Sequence, residues 1–263
     1  MVAETSQPAV ALRPRAFVRV SGPEAVDYLQ RMVSNDVEAL DVGDVCDALL
    51  LTPKARVIAT LRIWRRGEDD FLLLTEPELG GAVVNELRRM RFAAKCEVEA
   101  EDHTSEIVFG GDEGIPSDEY GVPAREVLDA GLQPTLTAEE LERMRIEAGT
   151  PRFGSELDDR VLPAEAGLDE THVSFTKGCY PGQEPIARLH YRGHVNRRLQ
   201  VLEVESAVAG DELTRDGKVM GRITSAVPGR ALAYVRTEVP EGAELTLPTG
   251  SSARLLPAAA RLH

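Results

Sequence analysis

The amino-acid sequence predicts an α+β fold that is followed by a small, separate β-barrel. Two features of the 263-residue chain predict it. Up to about residue 150, segments with the apolar spacing of helices are interspersed with short segments that alternate as strands do. After Val195 only short strand-like runs separated by turns remain, which is typical of a small barrel or sandwich.

The first hundred residues predict a strand, a helix and then further strands. Residues 16–20 alternate apolar and basic side chains, as a strand does. Ser21 and Glu24 have the spacing of a capping box, so a helix is expected from there to about Val33. The remaining predictions are strands at residues 47–51, 57–64, 71–75 and 96–100 and a helix at residues 77–91.

A second capping box and a hairpin turn organise the rest of the chain. Thr137 and Glu140 predict the start of a helix, and Gly149 is well placed to end it. Asp216 and Gly217 form a two-residue hairpin turn signal. The strands predicted for the barrel lie at residues 199–205, 212–215, 218–226, 231–236 and 244–247.

Composition and charge narrow the function classes. A net charge of -14 opposes binding of nucleic acid or an anionic membrane by the whole surface, but allows a local cationic site. Cys46, Cys96 and Cys179 are far apart and odd in number, which favours a reducing compartment. The chain shows no signal peptide and no apolar run of about 18 residues, so we expect a soluble, cytoplasmic protein with no membrane partner.

Residues 177–184, with the sequence KGCYPGQE, carry the strongest functional signal. Glycines and prolines predict a shaped loop here, with Cys179 two residues from the ammonium group of Lys177. A nearby cation favours the reactive thiolate, so Cys179 is the candidate reactive group. The bland alternative is a buried, inert cysteine.

The segment that follows is cationic. Residues 177–198 contain five cations and one carboxylate, Glu184. On a strand, Arg188 and Arg192 would share one face with two histidines and could bind an anion such as a polyglutamate chain. A solvated edge strand is the alternative. RNA binding is disfavoured, because the segment offers few aromatic side chains on which bases could stack. The five histidines of the chain lack a metal-binding spacing, so no metal site is expected.

The order of these segments resembles a known family. KGCYPGQE matches the K-G-C-Y-x-G-Q-E signature of the YgfZ-type folate-binding proteins, which are relatives of the aminomethyltransferase (T-protein) of the glycine cleavage system. Weaker matches, shared across the superfamily, lie at residues 21–30, 35–37, 145–151 and 162–168.

The resemblance implies a three-module architecture around a central channel that binds tetrahydrofolate. We expect residues 1–45 and 120–195 to form a discontinuous first α+β module, residues 46–119 a second, and residues 196–263 the β-barrel. The resemblance also implies a role in assembling or repairing iron–sulfur enzymes, with those client proteins as partners of a monomer. Nucleic acid is not expected as a partner.

The resemblance and the residues together nominate a site. Cys179 and Lys177 are the expected reactive pair, with Lys177 either tuning the thiol or pairing with a folate tail. The residues expected to contact the folate are Tyr180, Gln183, Glu184, Arg188, Arg192, Arg145, Asn35 and Asp36. Each has a structural alternative; for Arg145 it is an ion pair with Glu142 in the same helix.

One departure from the T-protein limits the chemistry. The positions that resemble its catalytic aspartates hold Ala59 and Thr60, and its acidic G-E-D segment has no match in residues 110–121. Neither side chain moves a proton near pH 7, so we expect folate binding without aminomethyl transfer. The chain is therefore expected to be a binding protein rather than an ordinary enzyme. The alternatives are a folate-dependent aminomethyltransferase-like enzyme and a tRNA-modification accessory protein.

Overall fold

A computed structural model describes residues 8–257 and contains two open sheets, a closed barrel and four α-helices within that range. The elements before residue 135 are β1 (Ala9–Leu12), β2 (Ala16–Ser21), α1 (Ala25–Met32), β3 (Val45–Leu51), β4 (Val57–Gly67), β5 (Asp70–Thr75), α2 (Gly80–Met90), β6 (Glu97–Glu101), β7 (Ser105–Phe109), β8 (Ile115–Ser117) and β9 (Ala124–Leu128). Those after it are α3 (Ala138–Ala148), α4 (Gln183–Arg192), β10 (Arg197–Val204), β11 (Glu212–Arg215), β12 (Lys218–Val227), β13 (Arg230–Arg236), β14 (Glu244–Thr246) and β15 (Ser252–Leu255).

The five-stranded sheet has the antiparallel order β3-β4-β5-β2-β6. Strand β4 shows why it forms: Ala59, Leu61 and Ile63 alternate into the core beneath helices α1 and α2. Thr60 and Arg62 point to the opposite face, where they line a cavity. The sheet therefore supplies both a core layer and a cavity wall.

The four-stranded sheet has the order β1-β7-β9-β8 and packs its apolar face against α3. The predicted capping box of α3 is confirmed, since the Thr137 side chain accepts from the Glu140 backbone N–H and the Glu140 side chain accepts from that of Thr137. Gly149 ends the helix in the left-handed conformation (φ 75°), as expected.

The C-terminal strands close into a six-stranded barrel, β10-β13-β12-β11-β14-β15, which confirms the predicted barrel. Its interior is a separate cluster of buried apolar side chains that includes Leu202, Leu213 and Ala233. The Asp216–Gly217 turn joins β11 to β12 as predicted. The α+β fold with a small terminal barrel is thus observed.

Two local predictions were wrong. Ser21 does not cap α1, because it is the last residue of β2; the Glu24 side chain instead accepts from the backbone N–H of Lys95. Residues 183–192 form helix α4 rather than a loop and a strand. Pro185 is tolerated there because it lies in the first turn, where the backbone N–H has no partner within the helix.

The division of the chain into modules stays a prediction, although strand pairing crosses one predicted boundary. β2 lies in the predicted first module, yet it pairs with β5 and β6 of the predicted second module. The predicted boundaries also extend into residues 1–7 and 258–263, outside the described range.

Candidate functional site

The thiol loop, residues 177–182, is anchored on both sides of an exposed cysteine. Lys177 and Tyr180 are buried, whereas Cys179 between them is exposed. The Lys177 ammonium nitrogen lies 5.5 Å from the centroid of the Tyr180 ring. Tyr180 packs with Leu49, Leu51 and other apolar residues, and burial raises the pKa of its hydroxyl to about 12. The loop therefore presents its thiol outward from a fixed base.

The buried ammonium group of Lys177 is used by the backbone. Its Nζ donates to the carbonyl oxygens of Val33 (2.8 Å) and Asn35 (2.5 Å), just beyond the end of α1. Burial lowers the pKa of this lysine to about 8, although Asp36 opposes the shift. The hydrogen bonds show a structural role that the spacing to Cys179 did not reveal. Tuning of the Cys179 thiol by Lys177 stays a prediction.

Gly182 allows the loop to approach the turn between β3 and β4. Its φ is 84°, and an added Cβ would lie 2.7 Å from the Thr52 carbonyl oxygen and 3.1 Å from the Ala55 Cα. Only glycine adopts this conformation at that distance without strain. Gly182 also precedes α4, so the same residue sets where the helix begins.

Helix α4 determines the positions of four other predicted site residues. Gln183 and Glu184 occupy its first turn, where a carboxylate is favourable for the helix dipole. Arg188 and Arg192 are one turn apart and line a small cavity beside the helix. Neither arginine is among the residues that line the larger, central cavity described next. Their folate contacts stay a prediction.

A central cavity of about 810 Å³ lies between the sheets and α3, within the size range of small-molecule sites. Its walls come from strands β3 and β4, from the end of β5 and Glu76, and from Arg13 and Arg15. The segment 116–125 around β8 and β9, residues 144–152 at the end of α3, and residues 168–172 complete them. Cys46 lies in this lining, and burial raises the pKa of its thiol to about 12. Cys179 does not line the cavity.

One wall of the cavity is a network of paired charges that sequence reasoning missed. Arg62 bonds Asp47 (3.1 Å) and Asp118 (3.3 Å), and Arg13 bonds Glu76 (2.6 Å). The lone arginine in the apolar strand pattern of residues 57–64 was the available signal, because a charge there is rarely buried without a partner. Asp118 keeps 60% of its side chain exposed and is the most open of these carboxylates.

Glu119, which also lines the cavity, is held as an anion. Burial alone would raise its pKa, but Arg15, Arg13 and Arg62 outweigh burial and hold the pKa well below its ordinary range. A carboxylate of this kind is a weak general base near pH 7. Ala59 lies in the core and Thr60 in the lining, so the expected position adds no carboxylate. Folate binding without aminomethyl transfer stays a prediction.

Arg145 has a structural role in the fold. Its guanidinium group bonds Glu142 (2.7 Å), Glu156 (3.0 Å) and the Ser225 hydroxyl (3.1 Å), which ties α3 to the barrel strand β12. The predicted pair with Glu142 is therefore present. Arg145 also borders the central cavity, and its folate contact stays a prediction.

Asn35 and Asp36 support the cavity from behind. The Asn35 amide donates to the backbone carbonyls of Asp47 (2.7 Å) and Thr171 (3.2 Å), two residues of the cavity lining. Asp36 accepts from the Gln30 amide (3.0 Å). Neither Asn35 nor Asp36 belongs to the lining itself.

Within residues 8–257, no group of three or more His, Cys, Asp or Glu side chains is arranged to hold a metal ion. No helix in the same range is long and apolar enough to span a bilayer.

Two families match the two ends of the chain. Residues 15–109 match the GCVT N-terminal domain, and residues 196–260 match the CAF17 C-terminal beta-barrel domain. The first match covers the five-stranded sheet and the second covers the barrel.

Two relatives of known name are about 30% identical in sequence to this chain. The tRNA-modifying protein YgfZ of Pectobacterium atrosepticum is 28% identical over 78% of this chain and 73% of its own length. The mitochondrial iron-sulfur cluster assembly factor IBA57 homolog of Mycosarcoma maydis is 31% identical over 70% of this chain, which spans 54% of that longer protein.

The same fold occurs in a solved structure. The crystal structure of glycine cleavage system aminomethyltransferase T from Bartonella henselae superposes with a TM-score of 0.80, covering 97% of this chain and 87% of that one, at 19% identity. At this identity the likeness concerns the fold alone.

Proposed function

The chain belongs to the YgfZ-type family related to the glycine-cleavage aminomethyltransferase, and from that premise we propose that it binds a tetrahydrofolate and supports iron–sulfur enzymes through Cys179. Two relatives carry names that refer to iron–sulfur cluster assembly and to tRNA modification. The observation that carries the proposal is the exposed thiol between two buried anchors, Lys177 and Tyr180.

The central cavity fits a polar heterocycle such as the pterin of a folate. Arg62 Nη1 and Ser117 Oγ are buried without a hydrogen-bond partner within the described range, and both residues belong to the cavity lining. Buried polar groups are normally paired, so this wall has donors to spare for a ligand. Asp118, oriented by Arg62, supplies an acceptor for ligand N–H groups. The ligand, when bound, would supply a carrier for one-carbon units.

Cys179 suits a transient rather than a permanent role in iron–sulfur chemistry. Iron–sulfur clusters are held by about four protein ligands, mostly thiolates. Cys46 and Cys96 are half-buried and buried, respectively, and neither belongs to the thiol loop. One exposed thiol can form a single bond to iron or to a partner's sulfur, so the client protein has to complete the site.

The test combines a cellular and a binding measurement. Cys179→Ala replaces the wild-type copy in the native host, and iron–sulfur enzyme activity is measured together with the abundance of the protein. We expect the activity of the iron–sulfur enzymes to fall, because the reactive thiol is lost. The abundance of the protein should stay normal, because the substituted side chain is exposed. Cys96→Ala is the thiol control, because Cys96 lies in the core and lines neither cavity.

Calorimetric titration of the purified chain with tetrahydrofolate tests the ligand. We expect saturable binding by both the wild type and Cys179→Ala, since Cys179 lies outside the cavity lining. Unchanged enzyme activity in Cys179→Ala cells would remove the thiol from the function, and absence of tetrahydrofolate binding by the wild type would remove the ligand.

A further inference from the structure

A second, smaller cavity of about 260 Å³ lies beside helix α4 and outside the central cavity. Its walls are mostly apolar. They include Leu162, Pro163 and Ala164, then Ile186 and Leu189 of α4, and Ala55 of the β3–β4 turn. It falls just below the range of about 300–1,000 Å³ that holds drug-sized ligands. This size suits one large apolar side chain.

Two guanidinium groups border this cavity without an ion-pair partner. Arg188 and Arg192 both line it, both are exposed, and neither forms an ion pair within residues 8–257. Glu184 lies one turn before Arg188 but does not pair with it, whereas nearby Arg197 pairs with Glu165 at 2.9 Å. In a chain of net charge -14, two unpaired cations beside an apolar cavity leave a local attraction for an anionic partner.

The carboxylate in the lining does not cancel this attraction in full. Asp169 borders the cavity, and burial raises its pKa, so the site disfavours the negative charge of this residue. Arg188 and Arg192 contribute two guanidinium groups to the same lining, against this one carboxylate.

We propose that this cavity docks an acidic peptide segment of a partner protein, with one large apolar side chain inserted between α4 and residues 162–164. Carboxylates that flank the inserted side chain pair with Arg188 and Arg192. Aromatic side chains anchored in a pocket and arginine contacts often supply most of the binding energy of a protein interface. The inference rests on the proposed function, because it identifies the surface by which a client protein would approach the thiol.

A peptide fits the cavity better than RNA does. Unpaired nucleotides bind by stacking on aromatic side chains, and the lining contains none. The rings of Phe175 and His190 stack with their centroids 3.9 Å apart, but neither residue lines this cavity. The walls are aliphatic and proline-rich instead.

Sequence separation limits the distance between the thiol and the proposed docking surface. Cys179 and Pro185 are six positions apart, so their Cα atoms are at most about 21 Å from each other. A partner held at α4 therefore has to extend over no more than about this distance to bring its own sulfur or iron atoms to Cys179.

Fluorescence anisotropy of the full-length chain tests the proposal with defined probes. The binding probe is a fluorescein-labelled peptide of sequence DELFDE. The comparison probes are DEGSDE, which lacks the apolar anchor, KKLFKK, which reverses the charge, and a labelled oligouridine. The variants are Arg188→Glu with Arg192→Glu, and Ala164→Phe, which fills the cavity without a change of charge.

The control variant is Arg215→Glu with Lys218→Glu. Both residues are exposed on the barrel hairpin, and the pair changes the net charge by the same amount as the α4 pair does. Thermal melts show whether each variant is folded. If Ala164→Phe is unfolded, the test depends on the variant Arg188→Glu with Arg192→Glu.

We expect DELFDE to bind the wild type and the control alike, and to bind the α4 pair at least about tenfold more weakly, a difference of about 1.4 kcal/mol. Equal binding of DELFDE and DEGSDE, equal binding by the wild type and the α4 pair, or preferential binding of oligouridine overturns the proposal. A selective loss of tetrahydrofolate affinity in the α4 pair overturns it too, since the arginines would then serve the folate.

The two proposals fail separately. If Cys179→Ala has no cellular effect, the proposed function fails, whatever the peptide result. If Cys179→Ala abolishes enzyme activity while the α4 pair keeps both activity and DELFDE binding, only the docking surface fails.

Discussion

Replacing Lys177 by Met separates its structural role from its effect on the thiol. The substitution keeps the apolar stem but leaves the carbonyls of Val33 and Asn35 without their donor. A buried acceptor left unpaired costs about 1–3 kcal/mol, so two cost about 2–6 kcal/mol. Removing a buried ammonium group, whose lowered pKa shows that burial disfavours its charge, offsets part of this loss. We expect a net loss of about 2–3 kcal/mol.

Urea and thermal unfolding measure the loss, with Lys54→Met as the control, because Lys54 is exposed and bonds no acid within the described residues. For a chain of this size the melting temperature is expected to fall by about 4–12 °C. Tuning of the thiol by Lys177 predicts that Cys179 reacts more slowly with Ellman's reagent in Lys177→Met. A purely structural role, as the backbone bonds of the ammonium group favour, predicts a rate close to that of wild type. A normal melting temperature combined with a tenfold slower thiol reaction would refute this reasoning.

The stability difference should also depend on pH in a defined direction. The unfolded chain has an ordinary lysine pKa of 10.5 and the folded chain a pKa of about 8. Between these values the unfolded state binds more protons, so the free energy of unfolding rises with pH. The advantage of wild type over Lys177→Met should therefore widen from pH 8 toward 10.5 and shrink as the pH falls to 8. A gap that narrows on raising the pH contradicts the assignment.

Two further substitutions test the surroundings of the site. Gly182→Ala should lower the free energy of unfolding in urea by about 1–3 kcal/mol. The reason is that the new Cβ would lie 2.7 Å from the Thr52 carbonyl oxygen, on a backbone in the left-handed conformation. Gly178→Ala in the same loop should not, since nothing lies within 4 Å of its Cβ; equal effects would contradict the close approach. Arg145→Met should cost about 3–5 kcal/mol in chemical denaturation, because the fully buried Glu156 loses its charge partner. Arg143→Met on the exposed side of the same helix should cost less than about 1 kcal/mol, and a similar loss from both would contradict the argument.

The local fold followed from sequence patterns where the pattern and the packing agree. The capping box at Thr137 and the turn at Asp216 depend on neighbouring residues, and both occur as predicted. Strand β15 and the strands of the four-stranded sheet were missed. They are short, three to five residues each. Strand β1 is entirely apolar and so shows no alternation, and polar side chains interrupt the apolar pattern of the others.

Helix α4 shows the opposite case. Gly182 and Pro185 predicted a loop, but both fit a helix start when the glycine precedes the first residue and the proline lies in the first turn. The face that contains Ile186 is buried against the body of the protein, and this tertiary contact favours the helix. Residue spacing alone did not contain that contact.

The sequence by itself determined the α+β class, the terminal barrel, the family and the thiol loop, because these depend on local periodicity and on an eight-residue motif. Only the tertiary structure decided which groups meet. Lys177 bonds carbonyls some 140 positions earlier, and Arg62 joins Asp118 across 56 positions. Such pairs form because burial forces each charge to find a partner, and the fold, not the spacing along the chain, determines which partner is near.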